Sequence, residues 1–139
     1  ESRIRRLRLI ERADGDQLNH AQVIFAVGRG VAKPENITTF TALAQGFGAS
    51  LGASRPVVDT GLLPAAHLIG QSGATVRPKL YVAFGSSGAL QHLAGIMEGV
   101  IIVAVNTDRD APIFDVARYG ACVDALEVAR QLQSLLPPG

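Results

Sequence analysis

Two glycine-bearing turns, one histidine and a short polar stretch carry the residue types and spacings that could do chemistry. Gly28-Arg29-Gly30 follows the apolar run 22–27, and Gly85-Ser86-Ser87-Gly88-Ala89 follows the apolar run 80–84. Glycine just after a strand lets a backbone approach a ligand, and free N–H groups at a helix start favour phosphate. The same Gly-Ser-Ser-Gly turn is equally well an N-cap, through Ser86 or Ser87, of a helix with no ligand. Spacing alone leaves both readings open. As a dinucleotide fingerprint, Gly28-x-Gly30 is incomplete, because Lys33 stands where the third glycine belongs. No Lys-Ser/Thr pair of the phosphate-loop type is present. Gly48-Ala49-Ser50-Leu51-Gly52 has the letters of a nucleophile elbow. Its expected order of helix then strand is the reverse of what an elbow needs. His92 stands alone, and a lone histidine is more often structural than catalytic. Asp108, Asp110 and Asp115 read as loop and capping residues. No His, Cys and carboxylate group has metal-ligand spacing, so no metal is expected. Cys122 has no second cysteine to pair with. Its place in Ala121-Cys122-Val123 predicts a buried, inert thiol.

Apolar runs and helical periodicity predict the elements that position these residues. Runs 22–27 (QVIFAV), 80–84 (LYVAF) and 100–105 (VIIVAV) have strand length and no alternation. Pro56-Val57-Val58 reads as a short second strand and Ala121 to Val123 as a fifth. Pro34-Glu35-Asn36 opens a helix bearing Ile37, Phe40, Leu43 and Phe47. Leu90, Leu93 and Met97 mark another, and Leu126, Ala129, Leu132 and Leu136 a last one. Residues 60–78, with three Gly and two Pro, read as loop. Continuous apolar strands alternating with helices predict an α/β fold: a doubly wound, mostly parallel sheet of about five strands with helices on both faces. In such a sheet ligands bind at the carboxyl ends of the strands. Gly28-Arg29-Gly30, the Gly85 turn and Asn106-x-Asp108 should therefore share one edge.

The 139 residues are 47% apolar and 18% charged, which fits one globular domain and excludes a disordered chain. A net charge of +1 points to no particular partner. Arg3, Arg5, Arg6, Arg8 and Arg12 cluster at the start, interleaved with Ile4, Leu7 and Leu9. That interleaving favours a solvated strand face over a nucleic-acid arm. The longest strongly apolar run, 100–105, is far short of the ~20 residues of a membrane span. A first residue that is not Met, inside a strand-like pattern, is expected of a fragment or a processed chain.

Beyond these readings, several blocks together resemble one family. They are Gly28-Arg29-Gly30, Glu35-Asn36, Gly52-Ala53-Ser54-Arg55-Pro56-x-x-Asp59-x-Gly61, Ile69-Gly70-Gln71-Ser72-Gly73, Ser87 to Gly95 (SGALQHLAG), and Val105-Asn106-x-Asp108-x-x-Ala111-Pro112-Ile113-Phe114. In order and spacing, over roughly residues 22–136, they are similar to the alpha subunit of electron-transfer flavoproteins. The resemblance implies that residues 21–139 are the C-terminal FAD-binding domain and residues 1–20 a linker or strand remnant of a larger chain. It implies FAD as cofactor, held by Arg29, Ser54, Arg55, Ile69, Gly70, Gln71, Ser72, Ser87, Gly88, Ala89, Leu90, Gln91, His92 and Asn106. Arg55, Ser72 and His92 would tune the flavin. Arg55 would set a positive charge against the ring, Ser72 a hydroxyl near its N5, and His92 a donor toward the pyrimidine carbonyl, where negative charge gathers on one-electron reduction.

The resemblance also implies an electron carrier, not an enzyme that transforms a substrate by itself. Its partners would be a beta subunit and flavin dehydrogenases such as acyl-CoA dehydrogenases. Its location would be a bacterial cytoplasm, or the mitochondrial matrix if the chain is eukaryotic. Neither nucleic acid nor membrane insertion is expected. The chain departs from the family pattern at Arg118, where an Asp linked to the adenosine end is usual, at Ser86 for Ile, and at Ala74 for a basic residue. Two other functions fit the same fold: a pyridine-nucleotide-binding oxidoreductase domain, and a non-redox interaction module that has lost flavin.

Overall fold

The computed structural model describes residues 18, 20–70, 73, 75–86, 96 and 99–136. Five strands form one sheet: β1 (Val23–Val27), β2 (Ser50–Ala53), β3 (Leu80–Phe84), β4 (Ile101–Val105) and β5 (Tyr119–Ala121). Their spatial order is β2-β1-β3-β4-β5, and every neighbouring pair is parallel. The named helices are α1 (Pro34–Phe47), α2 (Arg55–Asp59), α3 (Ile113–Val116) and α4 (Ala125–Gln133), with 3-10 turns at Arg29–Val31 and Ala65–His67.

The three central strands are continuous apolar runs because the sheet is covered on both sides. On one face Phe25, Val27, Val82, Phe84 and Val105 pack against Ile37, Phe40 and Leu43 of α1 and Ala125 and Ala129 of α4. Phe84 is fully buried there, its ring 4.8 Å from Phe40 and 5.5 Å from Phe25 between centroids. On the other face Ile24, Ala26, Tyr81, Ala83, Ile102 and Ala104 meet Leu18, Ile69, Val76 and Ile113 of α3. Helices thus lie on both faces of an all-parallel five-stranded sheet, as expected.

Local chemistry sets the boundaries. Pro34 opens α1 at a position where a missing N–H costs nothing. Gly48, with φ +69°, closes it in the left-handed conformation. Two boundaries differ from the sequence expectation. The second strand is Ser50–Ala53, and Pro56-Val57-Val58 lies inside the short helix α2. Pro56 has the backbone angle of a helix start, which outweighs the strand preference of two valines. Gly52 in β2 leaves room for the Ile69 side chain, whose Cδ1 would lie 2.3 Å from a Cβ there unless it shifted. The fifth strand is Tyr119–Ala121, two residues earlier than expected. The chain leaves the sheet after Ala121, and Asp124 caps α4 by accepting from the Leu126 N–H at 3.0 Å. The expected segments at 1–17, at 87–95 and at Met97 lie outside the described residues.

Candidate functional site

Parallel register brings the carboxyl ends of all five strands into one row. Val27 is paired with Ala53 and with Phe84, Phe84 with Val105, and Val105 with Ala121. The next residues form the edge itself: Ser54, Gly28, Gly85, Asn106 and Cys122. Backbone bonds hold this row together. Ser54 N–H donates to Val27 O (3.0 Å), Gly28 N–H to Phe84 O (2.9 Å), Gly85 N–H to Val105 O (2.8 Å) and Asn106 N–H to Ala121 O (3.1 Å). The crossovers run in opposite directions on the two sides of β1, so the row opens between β1 and β3. That is where a doubly wound sheet offers a ligand crevice.

The two glycine turns meet at this point. A Cβ on Gly28 would lie 2.5 Å from Ser86 Cα and 2.7 Å from Gly85 O. Gly30 donates its N–H to Gly85 O at 3.0 Å, and Gly85 holds φ +70°. Gly28 and Gly30 are therefore glycine because the β1 and β3 turns press together, which shapes the crevice floor. Asn106 ties in the third turn: its Nδ2 donates to Ser86 O (3.0 Å), and its Oδ1 accepts from Asp108 N–H (2.9 Å). Asp108 in turn accepts from Asp110 N–H (2.9 Å), so the Asp108 carboxylate has a loop-building role.

Two hydroxyl-bearing residues of this edge, Ser54 and Ser86, are buried. Ser54 occupies the N-cap of α2 yet makes no side-chain capping bond. It has no side-chain partner among the described residues. A buried hydroxyl is ordinarily bonded to something. Arg29 is exposed on the β1 turn. Arg55 starts α2, its Nε 3.4 Å from both Asp59 carboxylate oxygens, with its side chain 60% exposed. Ile69 is buried and joins β2 through its N–H to Ala53 O (3.0 Å), and Gly70 follows with φ 140°.

Arg29, Ser54, Arg55, Ile69, Gly70 and Asn106 are thus gathered at or beside one sheet edge. Gln71, Ser72, Ser87, Gly88, Ala89, Leu90, Gln91 and His92 lie outside the described residues. Arg118 is not at the edge. It donates its N–H to Ile102 O, four residues behind Asn106 and so about 13 Å from the edge at 3.3 Å per residue. Its departure from the family pattern falls away from the crevice. Cys122 is exposed, contrary to the buried thiol expected, with its Sγ 3.3 Å from Thr107 O as donor. The reason is that β5 is a short edge strand that ends before it. Sequence reading missed Asp124, which joins the same edge beyond β5. An acid directly before a helical pattern was the available signal.

A family model described as the electron transfer flavoprotein FAD-binding domain matches residues 17–97, more than half of the chain. The chain belongs to the electron transfer flavoprotein alpha subunit family. FAD is accordingly the cofactor of the matched domain. The chain is 48% identical over 120 residues to the mitochondrial electron transfer flavoprotein subunit alpha of Oryza sativa subsp. indica, covering 86% of this chain and 34% of that protein. It is 50% identical over 110 residues to the subunit alpha of Mycobacterium tuberculosis (strain CDC 1551 / Oshkosh), covering 79% and 35%. With that of Pseudomonas aeruginosa the identity is 42% over 124 residues, covering 89% and 40%. The chain spans a little over a third of the length of these relatives. A solved structure from Mycobacterium smegmatis, assigned to the thiamin diphosphate-dependent enzymes, superposes with TM-score 0.55 over 96% of this chain and 28% of that one. At 15% identity, that likeness concerns the fold alone. Among the described residues no helix is long and apolar enough to cross a membrane.

Proposed function

We propose that the chain holds FAD non-covalently along the carboxyl edge of its sheet and serves, within an electron transfer flavoprotein, as a one-electron carrier. The observation that carries this reading is the buried Ser54 hydroxyl, without a protein partner among the described residues, on the edge that opens at β1 and β3. FAD supplies the redox chemistry when bound. The protein supplies binding, orientation and charge. Ser54 and Arg29 offer a hydroxyl and a cation to the dinucleotide. Arg55 places a fixed positive charge that favours the reduced, anionic ring. Ile69 and Gly70 bring backbone to the ring. Asn106 holds the β3 and β4 turns together and serves the adenosine end. Gln71, Ser72, Ser87, Gly88, Ala89, Leu90, Gln91 and His92 complete the set on the strength of the family pattern, with Ser72 and His92 as donors to the ring.

In this reading residues 21–139 form the FAD domain. A beta subunit completes the protein, and flavin dehydrogenases such as acyl-CoA dehydrogenases deliver the electrons. It works in the bacterial cytoplasm, or in the mitochondrial matrix of a eukaryote. The test is FAD affinity and flavin potential in three proteins: wild type, Ser54→Ala and Arg55→Ala. Ser54→Ala should weaken binding about tenfold, the equivalent of one hydrogen bond to a buried polar group. Arg55→Ala should make the flavin harder to reduce. Unchanged affinity and potential in both variants would contradict the assignment.

A further inference from the structure

β2 is an outer strand, and the carbonyls of Leu51 and Ala53 point away from β1. The segment that follows the 3-10 turn Ala65–His67 runs beside this edge, where Ala53 and Leu68 form a parallel bridge. Ile69 N–H reaches Ala53 O at 3.0 Å. One ladder step back, the backbone N–H of His67 would be the partner of Leu51 O. That N–H is instead committed to Pro64 O, at 3.0 Å, by the 3-10 turn. The His67 ring takes its place: Nδ1 lies 2.7 Å from Leu51 O and, facing a carbonyl, is the donor. His67 is half-buried and Leu51 is buried. Two residues on, the Ile69 side chain packs across the bare face of Gly52, in the space a Cβ there would take. Three contacts thus pin the stretch that ends in Ile69 and Gly70, and only one of them is made by a replaceable polar side chain.

We infer that His67 is a positioning residue for the flavin-facing backbone at Ile69 and Gly70, acting through its ring-to-carbonyl bond on the β2 edge. This role rests on the FAD reading above. It sets the register of the segment against β2, and so the depth at which Ile69 and Gly70 stand beside the crevice.

The test compares wild type, His67→Leu and His67→Asn. Leucine fills similar space without a donor, and asparagine offers an amide N–H near the position of Nδ1. Three quantities are read: FAD affinity, the visible circular dichroism of the bound flavin at saturation, and hydrogen exchange of the Ile69 amide in the FAD-free chain. His67→Leu should weaken FAD binding about tenfold and raise exchange at Ile69 by a similar factor, while amides of β1 and β3 keep their protection. The flavin dichroism should change even at saturation, an effect that loss of global stability alone would not produce. His67→Asn should restore all three to within about twofold. Wild-type FAD affinity, dichroism or Ile69 exchange in His67→Leu overturns the role of His67 and leaves the FAD reading intact. If His67→Leu lost β1 and β3 protection as well, a defective His67→Asn that keeps that protection would overturn the role in the same way. A wild-type chain that takes up no FAD contradicts the FAD reading and removes the positioning role with it.

Discussion

At the residue scale, Gly28 is among the tightly constrained glycines of the described residues. Adding one methyl group there drives it into the Ser86 backbone, which cannot move aside as a side chain could. Gly28→Ala should destabilise the fold by about 1–3 kcal/mol, read from denaturant unfolding, and should weaken FAD binding with it. Arg55→Ala should behave in the opposite way. Its ion pair with Asp59 is exposed and spans one helical turn, so unfolding free energy should stay within about 0.5 kcal/mol of wild type while the flavin potential falls. The contrast separates a residue that shapes the site from one that charges it. Tyr81 gives a third test. Burial pushes its phenol well above the usual 10.0, because the interior disfavours the anion. The neutral form is the one the fold favours, so its contribution is complete below about pH 10 and is lost as pH rises further. Tyr81→Phe should flatten the alkaline limb of stability against pH, measured by urea midpoints. A limb as steep as that of the wild type would show that another group controls it.

At the element scale, the strands carry both the core and the site, because each ends at the residue that begins the edge. Phe84 is the last residue of β3, packed between Phe25 and Phe40 and followed directly by Gly85. Phe84→Ala should cost about 3–5 kcal/mol and loosen the glycine turn it anchors. The central strands were legible in the sequence because burial on both faces leaves uninterrupted apolar runs. Helix α1 was legible because Pro34 starts it and its apolar residues recur at helical spacing. The outer strands were not. Ser50–Ala53 is short, contains Gly52, and sits in a stretch whose glycines resemble a loop. Its strand character comes from β1 on one side and from the Leu68–Ile69 segment on the other, which no local pattern reports. Val57 and Val58 look like a strand and form a helix, because Pro56 fixes the backbone ahead of them. β5 gains its place from α4 beginning at Asp124, so a reading centred on the apolar letters of 121–123 slid two residues late.

At the scale of the whole molecule, the strand order explains why residues far apart in sequence share one edge. A doubly wound sheet was expected from alternating strands and helices, and the strand order places its reversal between β1 and β3. The family resemblance named the residues at that edge that are expected to hold FAD. The geometry adds why some of them are what they are: Gly28 and Gly30 for the meeting of two turns, Asn106 as a tie between β3 and β4, Ser54 as a buried hydroxyl with no side-chain partner among the described residues. It also removes Arg118 from the crevice, since a strand position cannot be read to within four residues from a motif alone. His67 was missed because nothing in its neighbours marks a histidine that replaces a backbone bond. Ligand linkage then predicts a global effect. FAD at one hundred times its dissociation constant should raise unfolding free energy by about 2.7 kcal/mol, and the melting temperature should climb with FAD concentration.

The most direct test of the central claim is a titration of the purified chain with FAD, followed by the visible absorbance of the flavin. A saturable change in the flavin band with an endpoint near one FAD per chain, shifted to higher FAD concentration in Gly28→Ala, is the predicted result. A linear response with no saturation, from a chain that still unfolds cooperatively, would contradict the assignment of this sheet edge as an FAD site.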